Sequence, residues 1–293
     1  MRLNEAVSIQ VLSRRTMLKP SDFIARLILH HEMLSHMIPI KWGWWEPVKK
    51  VWDISDPAVF IPVDRGGNAD NVIWTRGIKP KAEGAFNVSN KPADLNALRG
   101  HATERLHCEL RQFVQRPIVD YIQQSMILVD GDIAFIHYVA EKEKLIRFWE
   151  TKYEGAYIDT VDMRLVTATL RHWLPELPWA VVFGQAYVRM FGLERLLAAP
   201  AYVVKKLSDE AVYLQLSPKL TDLVDDYAAV DAVRQAVKDH LGRDAFFDVT
   251  KAYPLRGPVN ERGIYTPKEI LNFKPPPPIG TVFRVPDFHL IED

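Results

Sequence analysis

The run Trp179-Ala180-Val181-Val182-Phe183, the later run Val212-Tyr213-Leu214-Gln215-Leu216 and the segment Ala228 to Leu241 together decide the fold class. The first run is apolar, but Gly184 and Gln185 break it and Arg189 soon follows, so it falls far short of the roughly 18 residues a membrane helix needs and reads as a buried strand. The second has the alternating character of a strand ending near Ser217. The third carries Val230, Val233 and Val237 at helical spacing, and Gly242 is placed to terminate it. Short strands interleaved with amphipathic helices predict an α+β fold in which mixed sheets are flanked by amphipathic helices.

Working outward, the same alternation recurs. Val7, Ile9 and Val11 predict an opening strand that ends at Ser13-Arg14-Arg15. Pro20-Ser21-Asp22 offers a helix start, and Phe23, Leu27, Leu34 and Ile38 repeat at helical spacing until Pro39. A tryptophan-rich segment, Trp42 to Trp52, follows, then a strand around Ala85 to Ser89 and a helix carrying Leu106, Leu110 and Phe113. Asp130-Gly131, between Ile127-Leu128-Val129 and Ile133-Ala134-Phe135, signals a hairpin over Met126 to Val139. Asp159 or Thr160 can cap a helix through Leu165, Leu170 and Leu174, ended by Pro175. The order of strand, helix, proline, tryptophan, strand and helix is thus met twice, and Ser89, Asp94 and Leu95 match Ser217, Asp222 and Leu223 in spacing. Two pseudo-repeated α+β halves are expected, residues 1–125 and 126–273, with the helices near Phe23 to Ile38 and Thr160 to Leu174 equivalent. A third piece, residues 274–293, opens with Lys274 to Pro278, which four consecutive prolines hold extended. Val282, Phe283, Val285, Phe288 and Leu290 make the rest of it apolar enough to pack back on the body.

The chain of 293 residues, 48% hydrophobic, is long enough to bury a full core. Its 37 basic residues balance 37 acidic ones, so total charge favours neither nucleic acid nor membrane as partner. Locally the charge is uneven. From Asp209 to Asp248 nine acids face four basic residues, whereas Arg14, Arg15, Lys19, Lys49 and Lys50 make the beginning basic. Cys108 is the single cysteine, which excludes an intramolecular disulfide and a multi-cysteine metal site. Met1 to Gln10 lacks the apolar core of a signal peptide. A cytoplasmic location is the expectation.

The chemical motifs are weak. His30-His31-Glu32 with His36 suggests a zinc site, but His31 and His36 diverge by about 140° around a helix and cannot easily share one ion. Asp130 and Asp132 followed by Glu150 and Lys152 have the order of a restriction-like nuclease, in which two carboxylates hold Mg²⁺ and a lysine orients the attacking water. That alternative, an enzyme working through Asp132, Glu150 and Lys152, competes with a plain turn at Asp130-Gly131-Asp132 and a solvated charged stretch after Glu143. No phosphate loop, dinucleotide fingerprint or serine elbow occurs, and Arg65-Gly66-Gly67-Asn68 has no helix behind it. Cys108 beside His107 reads as a structural thiol. No cofactor, no metal and no catalytic residue are expected.

Two features suit protein recognition. Trp42, Trp44, Trp45 and Trp52 place four large aromatics in eleven residues, where they either fill core or anchor a partner; Trp44, Trp45 and the adjoining Glu46 are the candidates for contact. Asp222, Asp225, Asp226 and Asp231 cluster ahead of and within the last helix. Such acids can cap the helix and favour its positive end, or they can occupy the basic groove of a nuclease and steer its approach.

The block Trp179 to Asp248 carries more. Trp179 to Gly184, Tyr187, Phe191-Gly192, Glu194-Arg195-Leu196-Leu197, Pro200-Ala201-Tyr202, Val212 to Leu216, His240-Leu241-Gly242 and Asp244 to Asp248 resemble the immunity protein 52 family of bacterial polymorphic-toxin systems. Gln185 departs from the family pattern, which has a proline or small residue there. The resemblance implies a cytoplasmic antidote, not an enzyme, that binds and neutralises a cognate nuclease effector of type VI secretion. It transfers no binding residues.

Overall fold

The computed structural model describes residues 5–61, 71–89, 99–139, 165–171, 173–174, 176–246 and 283–291. The strand β1 (Ala6–Ser13) lies at its centre, and seven of its eight residues are buried because both of its faces are covered. On one side it pairs with β6 (Ala102–Glu109), on the other with β7 (Gly131–Tyr138). Outward from β6 come β5 (Ala82–Asn87), β4 (Asn71–Arg76), β2 (Lys41–Gly43) and the two-residue edge β3 (Lys50–Val51). Outward from β7 come β8 (Ala180–Phe183), β10 (Ala211–Gln215) and the other edge, β9 (Val203–Ser208). All of these pairs are antiparallel, so one ten-stranded sheet stands where separate mixed sheets were expected. The α+β class is correct.

Register assigns the two faces. Val7, Ile9 and Val11 lie opposite Cys108, Leu106 and Glu104 on β6, and opposite Tyr138, Ile136 and Ala134 on β7. This face is covered by α1 (Pro20–Met33) and α2 (Gln115–Leu128), which pack on each other. Pro20 opens α1 where its missing N–H costs nothing, and Phe23, Arg26, Leu27 and His30 recur at helical spacing on the buried side. The opposite face presents Leu12, Ile133, Phe135, Val181 and Phe183. It carries α3 (Thr167–Leu170), α4 (Gln185–Phe191), α5 (Leu193–Leu197) and, after α6 (Asp222–Asp225), the long α7 (Tyr227–Leu241). Gly242 ends α7 at a φ of 104°, as its position predicts.

Three local expectations are overturned. The segment with Leu106 is strand β6, not helix, and Leu110 lies past it in a short 3-10 turn. Leu106 and Leu110 are four apart, which mimics helical spacing, while Glu104 on the buried face hides the strand alternation. Met126 to Val139 is no hairpin. Helix α2 runs to Leu128, and Asp130, at a φ of 47°, turns the helix into strand β7. Asp130 alone takes the left-handed conformation, and Ile127 and Leu128, exposed at the end of the helix, have the composition of a strand. Finally, the halves do not share a strand order. From the β1–β7 seam outward, β1 meets the last strand of its half, whereas β7 meets the next. Similar element order along the chain does not fix pairing. Asp94 and Leu95, and residues 160–164 and 172 of the expected second helix, lie outside the described residues, and the described part of that helix is the four-residue α3.

Candidate functional site

The tryptophans divide between core and surface. Trp42 and Trp52 are buried against Phe60, each with ring centroids 4.5 Å away, and Trp44 sits half-buried with its ring edge-on to Trp42 at 5.3 Å. Lys50 lies 4.5 Å over Trp42, a cation–π contact that also blunts the β3 edge with charge. Trp45 is 59% exposed, and Glu46 beside it is exposed as well. Of the three candidates here, then, Trp45 and Glu46 face solvent and Trp44 is half-buried against Trp42.

The acids sit at the far end of the sheet. The carboxylate of Asp222 accepts the Lys219 N–H at 2.9 Å, that of Asp226 accepts the Ala229 N–H at 3.4 Å as the cap of α7, and that of Asp231 pairs with Arg234 at 3.2 Å. Asp225 and Asp226 are exposed, with Val224 between α6 neighbours 53% exposed. Helix capping therefore accounts for part of the cluster, and an outward acidic surface with an apolar member is left. In the sheet order β2 and β10 are separated by seven inter-strand steps, about 33 Å at ~4.8 Å each. An interface of ordinary size covers about 800 Å² per partner, roughly 30 Å across. Trp45 and Asp225 are thus not brought together at the centre of one such surface.

Asp132 is fully buried. Its Oδ2 lies 2.9 Å from Nε2 of His101, and its Oδ1 accepts the Ala186 N–H at 3.2 Å in the first turn of α4. Gly184 makes this approach possible, because a Cβ there would stand 1.8 Å from the Gly131 carbonyl oxygen. Nδ1 of His101 lies 2.8 Å from Oγ1 of Thr167, which also accepts the His101 backbone N–H at 2.9 Å. The three side chains form a carboxylate–imidazole–hydroxyl relay, and Phe288 closes it with its ring edge-on to His101 at 4.7 Å. A carboxylate so enclosed offers no open face to Mg²⁺. Glu150 and Lys152 lie outside the described residues. Sequence spacing gave no sign of His101 or Thr167, whose 66-residue separation only the fold closes. Gln185 is the first residue of α4, and its side chain bonds Arg14 and Glu210.

A second buried network lies under α1 and α2. Glu104 accepts Arg26 Nε at 3.1 Å, pairs with His30 Nδ1 at 3.0 Å and accepts the Tyr121 hydroxyl. Burial alone would push the Glu104 carboxyl up, but the His30 hydrogen bond and the Arg26 charge hold it below the usual range. Desolvation, then the Glu104 charge, drives the Tyr121 hydroxyl well above its ordinary value. Burial also pushes the Cys108 thiol up to about 12, which makes it an inert core residue. His30 is thereby committed to the core rather than to a metal. Among the described residues no group of three or more His, Cys, Asp or Glu side chains is arranged to hold a metal ion, and no helix is long and apolar enough to cross a membrane.

No family model matches the chain. No curated protein matches it either. Among solved structures it is similar to a T6SS protein of Pseudomonas aeruginosa, at 10% sequence identity and a TM-score of 0.48, over 81% of this chain and 75% of that one.

Proposed function

We propose that this protein is an immunity protein that binds and neutralises a cognate nuclease effector in the cytoplasm of the producing cell, without doing chemistry itself. The reading rests on the likeness drawn from the sequence of Trp179 to Asp248 to the immunity protein 52 family, a likeness that no family model matches. The described part of that block, up to Phe246, builds one end of the sheet, β8, β10 and β9, with α4 to α7 beside it. Its outward side includes Asp222, Asp225, Asp226 and Asp231 with Val224, a surface suited to the basic phosphate-binding groove of a nuclease. Trp44, Trp45 and Glu46 offer a second, separate contact. The nuclease alternative loses support from Asp132, whose oxygens are already taken by His101 and the start of α4.

The test is to read the adjoining reading frames for a nuclease toxin and to express the protein beside it. The protein is expected to protect cells, to bind that nuclease with nanomolar affinity or better, about −12 kcal/mol, and to cleave neither DNA nor RNA with Mg²⁺ or Mn²⁺. Metal-dependent cleavage abolished by Asp132→Ala would overturn the reading in favour of an enzyme. Absence of a toxin gene beside it, together with failure to bind any nuclease tested, would overturn it in favour of a scaffold.

A further inference from the structure

Phe283 to Ile291 crosses the sheet face that carries α4, and alternate residues point inward. Phe283 and Pro286 are buried and Phe288 half-buried, whereas Val285, Asp287, His289 and Ile291 are exposed. Phe283 packs on Trp173 at 5.3 Å, and Phe288 reaches His101 at 4.7 Å and Tyr187 at 6.0 Å. Arg284 clamps one end: its backbone N–H donates to the Asp244 carbonyl at 2.9 Å, its guanidinium pairs with the Asp244 carboxylate at 3.1 Å and bonds the Leu241 carbonyl, and it lies 5.3 Å over Phe191. Ile291 ties the other end, its N–H donating to the Arg14 carbonyl at 2.8 Å. Between these ends the segment belongs to no named strand. Its hold is made of side-chain anchors in sockets, as in a bound peptide, rather than of a strand ladder. The seat beneath it contains a polar group without satisfaction, since Tyr187, whose ring lies 6.0 Å from that of Phe288, has a buried hydroxyl with no hydrogen-bond partner. Lifting the segment would give that hydroxyl water, which lowers the cost of opening.

We propose that Phe283–Ile291 is a displaceable strap: it occupies a preformed peptide groove built by Trp173, His101, Tyr187, Phe191 and Asp244, and it opens as a unit while the sheet stays folded. The occupant is this segment of this same chain. When the strap lifts, the Asp132–His101–Thr167 relay meets solvent, and the groove accepts an extended segment with an aromatic residue, an arginine next to it and a second aromatic five positions on. Segments held by few buried contacts and few backbone hydrogen bonds open at lower free energy than the core, as this requires. The inference stands apart from the immunity reading, because it concerns what the groove holds and not which toxin is bound.

The experiment uses the full chain, unmodified and as Arg284→Ala/Phe288→Ala. In the unmodified chain, amides of Phe283 to Ile291 should exchange at a rate insensitive to low denaturant and at least tenfold faster than those of β1 and β7. In the double variant they should exchange at least tenfold faster again, and carbethoxylation of His101 should rise at least tenfold, while β1 and β7 keep their protection. A synthetic peptide with the sequence Phe283 to Ile291, added in excess, should return His101 to its slow rate. Loss of β1 and β7 protection in step with the strap would make the segment an integral part of the core and overturn the proposal. So would a peptide that leaves His101 reactive. A dimer of the unmodified chain in sedimentation, lost in the double variant, would overturn it as well, since the groove would then hold the strap of a second copy.

Discussion

Among the described residues a carboxylate–histidine network is buried on each side of the sheet, and the two are built from similar parts to different effect. Glu104 on one face and Asp132 near the other each meet a histidine and a hydroxyl-bearing side chain. Glu104 also holds Arg26, under two packed helices of fourteen residues each. Asp132 instead receives a backbone N–H at the start of α4 and lies under a single strap. The difference matters because a guanidinium cannot shed its charge and an imidazole can. A buried partner that must stay charged locks a network into the core, because removing the carboxylate leaves that charge uncompensated.

The comparison breaks most visibly at Glu104. Replacing it by leucine strands the Arg26 charge, and unfolding by urea is expected to show a loss of about 3–5 kcal/mol. The matching change, Asp132→Ala, removes a partner of His101 and of the Ala186 N–H but strands no permanent charge. A smaller loss of about 1–3 kcal/mol is expected. If the two losses prove equal, or their order reverses, the distinction between the networks fails.

Acid sharpens the same contrast. Glu104 and Glu176 both have folded-state values below the ordinary 4.5: for each, burial acts to raise the value and is outweighed, by His30 and Arg26 at Glu104 and by Lys238 and Arg234 at Glu176. A depressed carboxyl contributes stability that is complete above its unfolded value and is lost as pH falls through the folded one. Thermal stability should therefore hold from pH 7 down to near 5 and decline as pH drops below about 4.5. Glu104→Gln should flatten part of that decline, and an unchanged slope would show that Glu104 is not a source of it.

The smallest effect on folding belongs to the acids at the sheet's end. Asp225→Lys with Asp226→Lys removes one cap whose bond is 3.4 Å long, so a loss of about 1 kcal/mol or less is expected. Under the proposed immunity function, the same variant should slow association with the nuclease it neutralises, most at low ionic strength. Unaltered association in low salt would confine these acids to helix capping and place the interface elsewhere.

Periodicity alone located β1, α1, β8, β10 and α7, because each shows its buried residues at a spacing of two or of three to four, or as a short apolar run, and Pro20 and Gly242 mark two of their ends. It failed at β6 and at the junction of α2 with β7. In the first a buried glutamate interrupts the pattern. In the second the apolar residues at the end of a helix are exposed.

The sequence by itself determined the α+β class, the single cysteine and the composition of the tryptophan-rich and acidic segments, since these depend on local pattern and chemistry. The tertiary structure decided what sits beside what. It joined Glu104 to Arg26, 78 residues away, and His101 to Thr167, set Trp45 and Asp225 at opposite ends of one sheet, and laid Phe288 over the Asp132 network. The physical reason is that strand pairing in an antiparallel sheet is chosen by the burial of whole faces, and a residue's own neighbours along the chain carry no record of that choice.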